Sequence, residues 1–385
     1  MLYKIKFMLL LVLGSVILKS SLLYAQPTQD DLKPLMQQVF SSITYLISTS
    51  EVLTGGVESG NHQQTLAHLQ RLNTVAEEIE MHTSASQNRA LWLNSRSFSD
   101  ALGKLERAYQ RGDPDYMRFY VLNITESCFA CHSRQASNST FALGEQLLGD
   151  LQDSALDVNE LALLQVAVRQ FDAALETWES YLLDPFGPTG SYEYADAITE
   201  YLFLSINVFD DFDRPLKTLD AMLEQVHLPG YLVRQVETWK DQLDELRDSH
   251  EFTALGDIQD LYSSSNDLSE IPFDRSRLVF DIVVRSLLEN YLNRPQNIIP
   301  EDLSDIYFML GVIEYRLERG AISIPQAELY FEAAIRANPA GSTARKAFDV
   351  LEENSGYAVS TNFFEAPELP VPLNELRELI DMSSE

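Results

Sequence analysis

Cys128-Phe129-Ala130-Cys131-His132 closes a stretch that opens at Gly112-Asp113-Pro114 and runs through Tyr116, Phe119, Tyr120 and Ile124. Gly112 is a natural helix stop, and Asp113-Pro114 is a natural N-cap with proline in the first turn. A helix that continues to the end of the stretch places Cys128, Cys131 and His132 at i, i+3 and i+4, so the three side chains share one face. Three further amphipathic segments precede it. Leu32, Leu35, Met36, Val39, Phe40, Ile43, Leu46 and Ile47 follow the i, i+3, i+4, i+7 pattern. After a loop with Gly55-Gly56 and Gly60-Asn61, a second stripe holds Leu66, Leu69, Leu72, Ala76 and Ile79. After the polar stretch from Thr83 to Asn88, a third holds Phe98, Ala101, Leu102, Leu105, Ala108 and Tyr109. Four such helices predict an all-α four-helix bundle.

The chain has two cysteines, both in that pentapeptide. An isolated pair in an oxidising compartment is usually a disulfide. A spacing of three, followed directly by histidine, is instead the attachment signature for haem c. The two thiols can add to the two vinyl groups of a porphyrin while the imidazole reaches the iron from the same side. Cys128 and Cys131 are thus the expected thioether residues, His132 the proximal iron ligand, and one covalent haem c the expected cofactor. Two other chemistries use part of the pattern. A thioredoxin-like redox pair needs a βαβ setting, and no strand pattern lies nearby. A zinc site needs a fourth ligand and usually a second ligand pair; the six histidines allow this without pointing to it.

On these residues, the segment from about 30 to 136 resembles the cytochrome c′ / cytochrome c556 family of four-helix-bundle cytochromes. In that family the haem motif sits near the end of the last helix. Trp92 and Phe98 resemble its helix-three tryptophan and phenylalanine, and Leu35-Met36-Gln37-Gln38 resembles the part of helix one that faces the haem. The resemblance covers a little more than a quarter of the chain, and only the haem motif is highly specific. The family's aromatic–arginine pair after the haem histidine is replaced here by Ser133-Arg134-Gln135, so no role passes to Arg134. In six-coordinate members a methionine of helix one ligates the iron, and Met36 stands at the matching place. A His/Met haem has a raised potential and serves electron transfer. In five-coordinate members an apolar residue stands there and the open iron binds small gases. Met36 also reads as an ordinary core methionine. Met81, His82, His62 and His68 are weaker candidates for the sixth position, and Met117 sits on the haem-bearing helix itself. The resemblance also implies a bundle that often forms homodimers.

From about residue 155 the pattern remains helical. Phe171, Ala174, Trp178, Tyr181 and Pro185 resemble the second helix of a tetratricopeptide repeat. Leu310-Gly311, Tyr315, Ala327, Phe331, Ala334 and Pro339 resemble a second copy, lengthened by the loop from Glu318 to Pro325. Helices are expected near 192–209, 214–226, 231–247, 274–293 and 302–317, with a long loop from Ser263 to Glu270. Such pairs bury their faces only against neighbours, so several stack together. A generic helical domain is the plainer alternative. The resulting layout is a leader at 1–25, the bundle at 26–136, a linker at 137–157, the repeat region at 158–360 and an acidic, proline-rich tail at 361–385. The linker has a segment from Phe141 to Leu151 that can dock as a helix. The tail has a short helix or disordered end from Leu373.

Lys4 and Lys6 precede the apolar run Phe7–Leu18, and Leu23-Tyr24-Ala25 offers a cleavage site. A run of twelve residues, broken only by Gly14 and Ser15, falls short of the ~20 that span a bilayer, so a cleaved signal peptide and a periplasmic location are expected. An uncleaved leader would instead tie the chain to the membrane. Residues 26–150 hold 14 acids and 9 bases, whereas residues 151–385 hold 44 and 16. An acidic surface of that kind repels nucleic acid and anionic lipid and speeds encounter with basic partners, or it simply solubilises the chain. The sequence shows no phosphate-binding loop, nucleophile elbow or second cysteine pair. It therefore reads as a non-enzymatic electron carrier or redox subunit whose helical repeats dock a redox partner. A haem-based gas binder or sensor is the alternative, and a peroxidase-like enzyme a more distant one.

Overall fold

The computed structural model describes residues 29–48, 62–84, 89–112, 124–125, 127–133, 144–149, 156–190, 192–247, 252–265, 275–294, 297–317, 326–360 and 373–383. Among these, 86% are α-helical and none lies in a strand. The expected leader, the loop at 51–60, the motif helix over 113–123 and the tail at 361–372 lie outside the described residues.

The N-terminal region contains α1 (Gln29–Ser48), α2 (His62–Ser84) and α3 (Arg89–Arg111), each packed on its neighbour. Their apolar stripes form one core: Leu35, Val39, Ile43 and Leu46 from α1, Leu69, Leu72, Val75, Ala76 and Ile79 from α2, and Leu102, Leu105 and Ala108 from α3. Gly112 ends α3 with a φ of 72°, the left-handed conformation that glycine adopts at a helix C-terminus without a Cβ penalty. α3 begins well before the stripe that starts at Phe98. Its first turns serve a different core, where Leu93 joins residues of the C-terminal region.

The short α4 (Gly144–Gly149) is followed by α5 (Val158–Ala167) and α6 (Phe171–Leu182). Asp157 opens α5 with a capping box: its carboxylate accepts the Glu160 N–H at 2.8 Å, and the Glu160 carboxylate accepts the Asp157 N–H at 3.0 Å. Then come α7 (Tyr192–Phe209), α8 (Asp213–Gln225), α9 (Gly230–Leu246), α10 (Leu255–Ser265) and α11 (Leu278–Leu292), the last preceded by a 3₁₀ turn at Arg275–Arg277. α12 (Pro300–Leu317), α13 (Gln326–Ala337), α14 (Ser342–Ser360) and α15 (Leu373–Ser383) complete the chain. From α5 to α9 and from α10 to α15 sequence neighbours pack in turn, and α11 touches α7, α9, α10, α12 and α3. α11 is accordingly buried almost all round. It keeps Asp281, Arg285 and Glu289 inside by ion pairing: Arg277 and Arg316 flank Asp281, while Arg285 meets Glu314 at 2.8 Å and Glu289 at 3.4 Å.

Helices expected near 192–209, 214–226, 231–247 and 302–317 are present within a residue or two of those limits. α10 is an addition, running into the segment read as a loop from Ser263. Of its apolar residues only Ile258 is fully buried, so its periodic signal is weak. α15 docks on α13 and α14, inserting Leu376 and Ile380 one turn apart into the core. Within the segment read as a linker, residues 144–149 are described, and they form a helix. α4 packs on α5, with Gly144 so close to the next turn that a Cβ there would meet the Gln170 side chain at 2.6 Å and the Val168 carbonyl at 3.0 Å.

Two observations join the regions further. α5 faces both cores: Ala162, Leu163 and Val166 belong to the C-terminal core, and Leu164 and Val168 to the N-terminal one. A helix buried on two sides must be apolar nearly all round, as Leu161-Ala162-Leu163-Leu164-Gln165-Val166-Ala167-Val168 is. α3 also packs on α11 and α13, where Arg96 meets Glu332 at 3.1 Å.

Candidate functional site

Residues 127–132 are helical, as the spacing of the motif requires. Cys128 packs on the N-terminal core. One position on, Phe129 is turned about 100° round the helix and enters the C-terminal core, where it is 1% exposed. Its ring stands edge-on to Trp178 at 6.1 Å and to Phe203 at 6.2 Å, the arrangement aromatic quadrupoles favour. The motif helix is thus seated between the two cores.

Cys128 and Cys131 form no disulfide. The Cys128 Sγ donates to the Ile124 carbonyl at 3.5 Å. Burial, reinforced by the neighbouring Cys131, pushes the Cys128 thiol up to about 12. A thioredoxin-like pair works through a depressed thiol pKa, and this site does the reverse.

The His132 Nδ1–H donates to the Val166 carbonyl at 3.2 Å. Burial holds the imidazole down at about 4, and the Arg169 charge adds to the effect against the pull of the Val166 and Ala167 carbonyls. The ring is therefore neutral at ordinary pH, with its tautomer set by the carbonyl and Nε2 turned away from it. That is the form in which histidine ligates a metal. Val166 lies in the last turn of α5, where carbonyls lack intrahelical partners and carry the negative end of the helix dipole. The same oxygen accepts the Arg169 N–H at 2.9 Å, closing a turn in which Arg169 takes a left-handed φ of 61°. A non-glycine residue costs about 1–2 kcal/mol there.

Among the described residues, no group of three or more His, Cys, Asp or Glu side chains converges to hold a metal ion. The Ser127 and Ser133 hydroxyls, which bracket the motif, are buried without a hydrogen-bond partner.

Met36 is half-buried and packs on the N-terminal core, the core on which Phe98 and Cys128 also pack. Trp92 packs instead on the C-terminal core. The other candidates are engaged elsewhere. Met81 is 63% exposed. His62 Nδ1 lies 2.7 Å from the Tyr109 hydroxyl. His68 stacks on Tyr45 and meets the Ser42 hydroxyl at 3.2 Å, and His82 donates to the Glu78 carbonyl at 2.8 Å. Met117 and Arg134 lie outside the described residues. Sequence reading missed Phe129, Val166, Arg169, Trp178 and Phe203 as parts of this site. The near-continuous apolar run at 161–168 was the available signal, because it implies a helix covered on more than one side.

Fold and site together define an all-α protein with a half-buried Cys-x-x-Cys-His helix whose Phe129 enters one core while Cys128 packs on the other. Compared with protein-family models, curated proteins and solved structures, the chain matches none.

Proposed function

We propose that this chain is an exported c-type cytochrome that carries one covalent haem and transfers electrons in the periplasm. In this reading the N-terminal region is a four-helix bundle of the cytochrome c′ / c556 kind. The C-terminal region is a degenerate tetratricopeptide-like array that docks a redox partner with a basic surface. The observation that carries the reading is the pairing of two unbridged, half-buried thiols, one turn apart on a helix, with an imidazole whose Nδ1–H is tied to the Val166 carbonyl.

Bound haem supplies one-electron iron chemistry at a potential set by its axial ligands and surroundings. Cys128 and Cys131 would hold it, each adding across a vinyl group so that sulfur bonds one carbon, the thiol hydrogen goes to the other and nothing leaves. His132 would ligate through Nε2. Val166 orients the ring and increases its basicity. Met36 would supply the sixth ligand, and the apolar residues around it exclude water. The excess of acids over residues 151–385 favours a basic partner and disfavours nucleic acid and anionic lipid.

The test is to express the protein with haem c maturation machinery and record its mass and its oxidised and reduced absorption spectra, together with Met36→Ala. The expected result is one covalent haem, low-spin, with a methionine-sulfur charge-transfer band that the substitution abolishes. A high-spin spectrum indifferent to Met36→Ala moves the reading to a five-coordinate gas binder. Absence of covalent haem overturns it altogether.

A further inference from the structure

The sequence suggests a haem module followed by a separate docking module, but the motif's own residues reach into both cores. We infer that the C-terminal region is a working part of the haem site: Phe129 anchors the motif helix in a socket of Trp178 and Phe203, so that α5 grips His132 and sets its strength as a ligand. This inference rests on the haem reading above.

The socket is built from three elements of the C-terminal region. Trp178 on α6 is fully buried, and its indole N–H donates to the Asn159 side chain at 2.7 Å. Phe203 on α7 is 1% exposed and lies beneath the Arg285 guanidinium of α11 at 4.7 Å. Arg285 is in turn fixed by Glu314 at 2.8 Å and Glu289 at 3.4 Å. Phe129 therefore meets a wall of buried rings, and close-packed cores transmit small displacements rather than absorb them. Phe129 and His132 lie within one continuous helical stretch, 127–132, so holding Phe129 also holds His132, three residues on, against the end of α5.

The Val166 carbonyl governs the imidazole. A carbonyl accepting the Nδ1–H makes Nε2 a stronger donor, which favours ferric over ferrous iron and lowers the potential. Phe129 is a positioning residue for this contact. It lies between the two cysteines without being a thioether or a ligand, so it can be changed while Cys-x-x-Cys-His remains intact.

The experiment compares full-length, haem-loaded wild type with Phe129→Ala and Phe129→Leu. Three quantities are read: the midpoint potential, the electron paramagnetic resonance spectrum of the ferric form, and hydrogen exchange in the α5 peptide 158–167. In Phe129→Ala the potential is expected to move upward, the ferric signals to shift, and α5 to exchange faster. Phe129→Leu, which refills part of the socket, should fall between it and wild type. If Phe129→Ala does not fold, Phe129→Leu decides the matter by the same readouts. A loaded wild type whose potential and α5 exchange are unchanged in the folded variants overturns this inference alone. A wild type without covalent haem overturns the haem reading and this inference with it.

Discussion

Gly311→Ala tests the packing of the C-terminal region where it is closest. Gly311 is buried in the middle of α12, against α13. A Cβ there would come within 2.7, 2.8 and 3.1 Å of three ring atoms of Phe331, whereas ordinary contact begins at 3.4 Å. In an exposed helix the exchange would stabilise by about 1 kcal/mol, since glycine carries the larger backbone entropy. Here the ring has nowhere to go: Phe331 is 1% exposed and packs against Phe308 at 5.8 Å. Overpacking of this kind costs about 1–3 kcal/mol. The net expectation is a loss of about 1 kcal/mol, read as a lower urea midpoint with an unchanged slope. Phe331→Leu removes the obstructing ring edge, so in that background Gly311→Ala should become neutral or stabilising. The double-mutant cycle should return a coupling of about 1–2 kcal/mol. Full recovery of the helix-propensity gain in Gly311→Ala alone, or additivity of the two changes within about 0.3 kcal/mol, refutes the argument.

Burial raises the Asp281 carboxyl from 3.8 to about 6, despite Arg277 at 3.4 Å and Arg316 at 3.6 Å. A carboxyl raised on folding contributes stability that is complete below its unfolded pKa and is lost as pH rises through its folded one. At 1.36 kcal/mol per pKa unit, Asp281 should withdraw about 3 kcal/mol between pH 4 and 6, and comparing the stability–pH curves of wild type and Asp281→Asn measures it; curves of the same shape contradict the assignment. Arg96→Met should destabilise by about 1–2 kcal/mol in urea, less than the ~3–5 kcal/mol of a fully buried broken pair, because Glu332 keeps Arg336 at 2.7 Å. Adding Glu332→Leu should restore part of the loss, and no loss in the single variant would show that the contact between α3 and α13 contributes nothing.

By itself the sequence determined the all-helical class, most helix limits and the common helical face of the motif residues. Apolar spacing at i, i+3 and i+4 follows from 3.6 residues per turn and needs no knowledge of neighbours. It placed α7 at 192–209, and it put Cys128, Cys131 and His132 on one helical face. Periodicity says which face of a helix is buried and not what buries it. The signal failed at α10, where a single residue is fully covered, and at α5, where two faces are. The tertiary structure alone decided that α5 divides its sides between two cores, that Leu93 of α3 leaves the core of its own region, and that Val166, thirty-four residues from His132, is the acceptor for the imidazole. Those pairings depend on how whole helices settle against one another, a many-body packing outcome that no local pattern encodes.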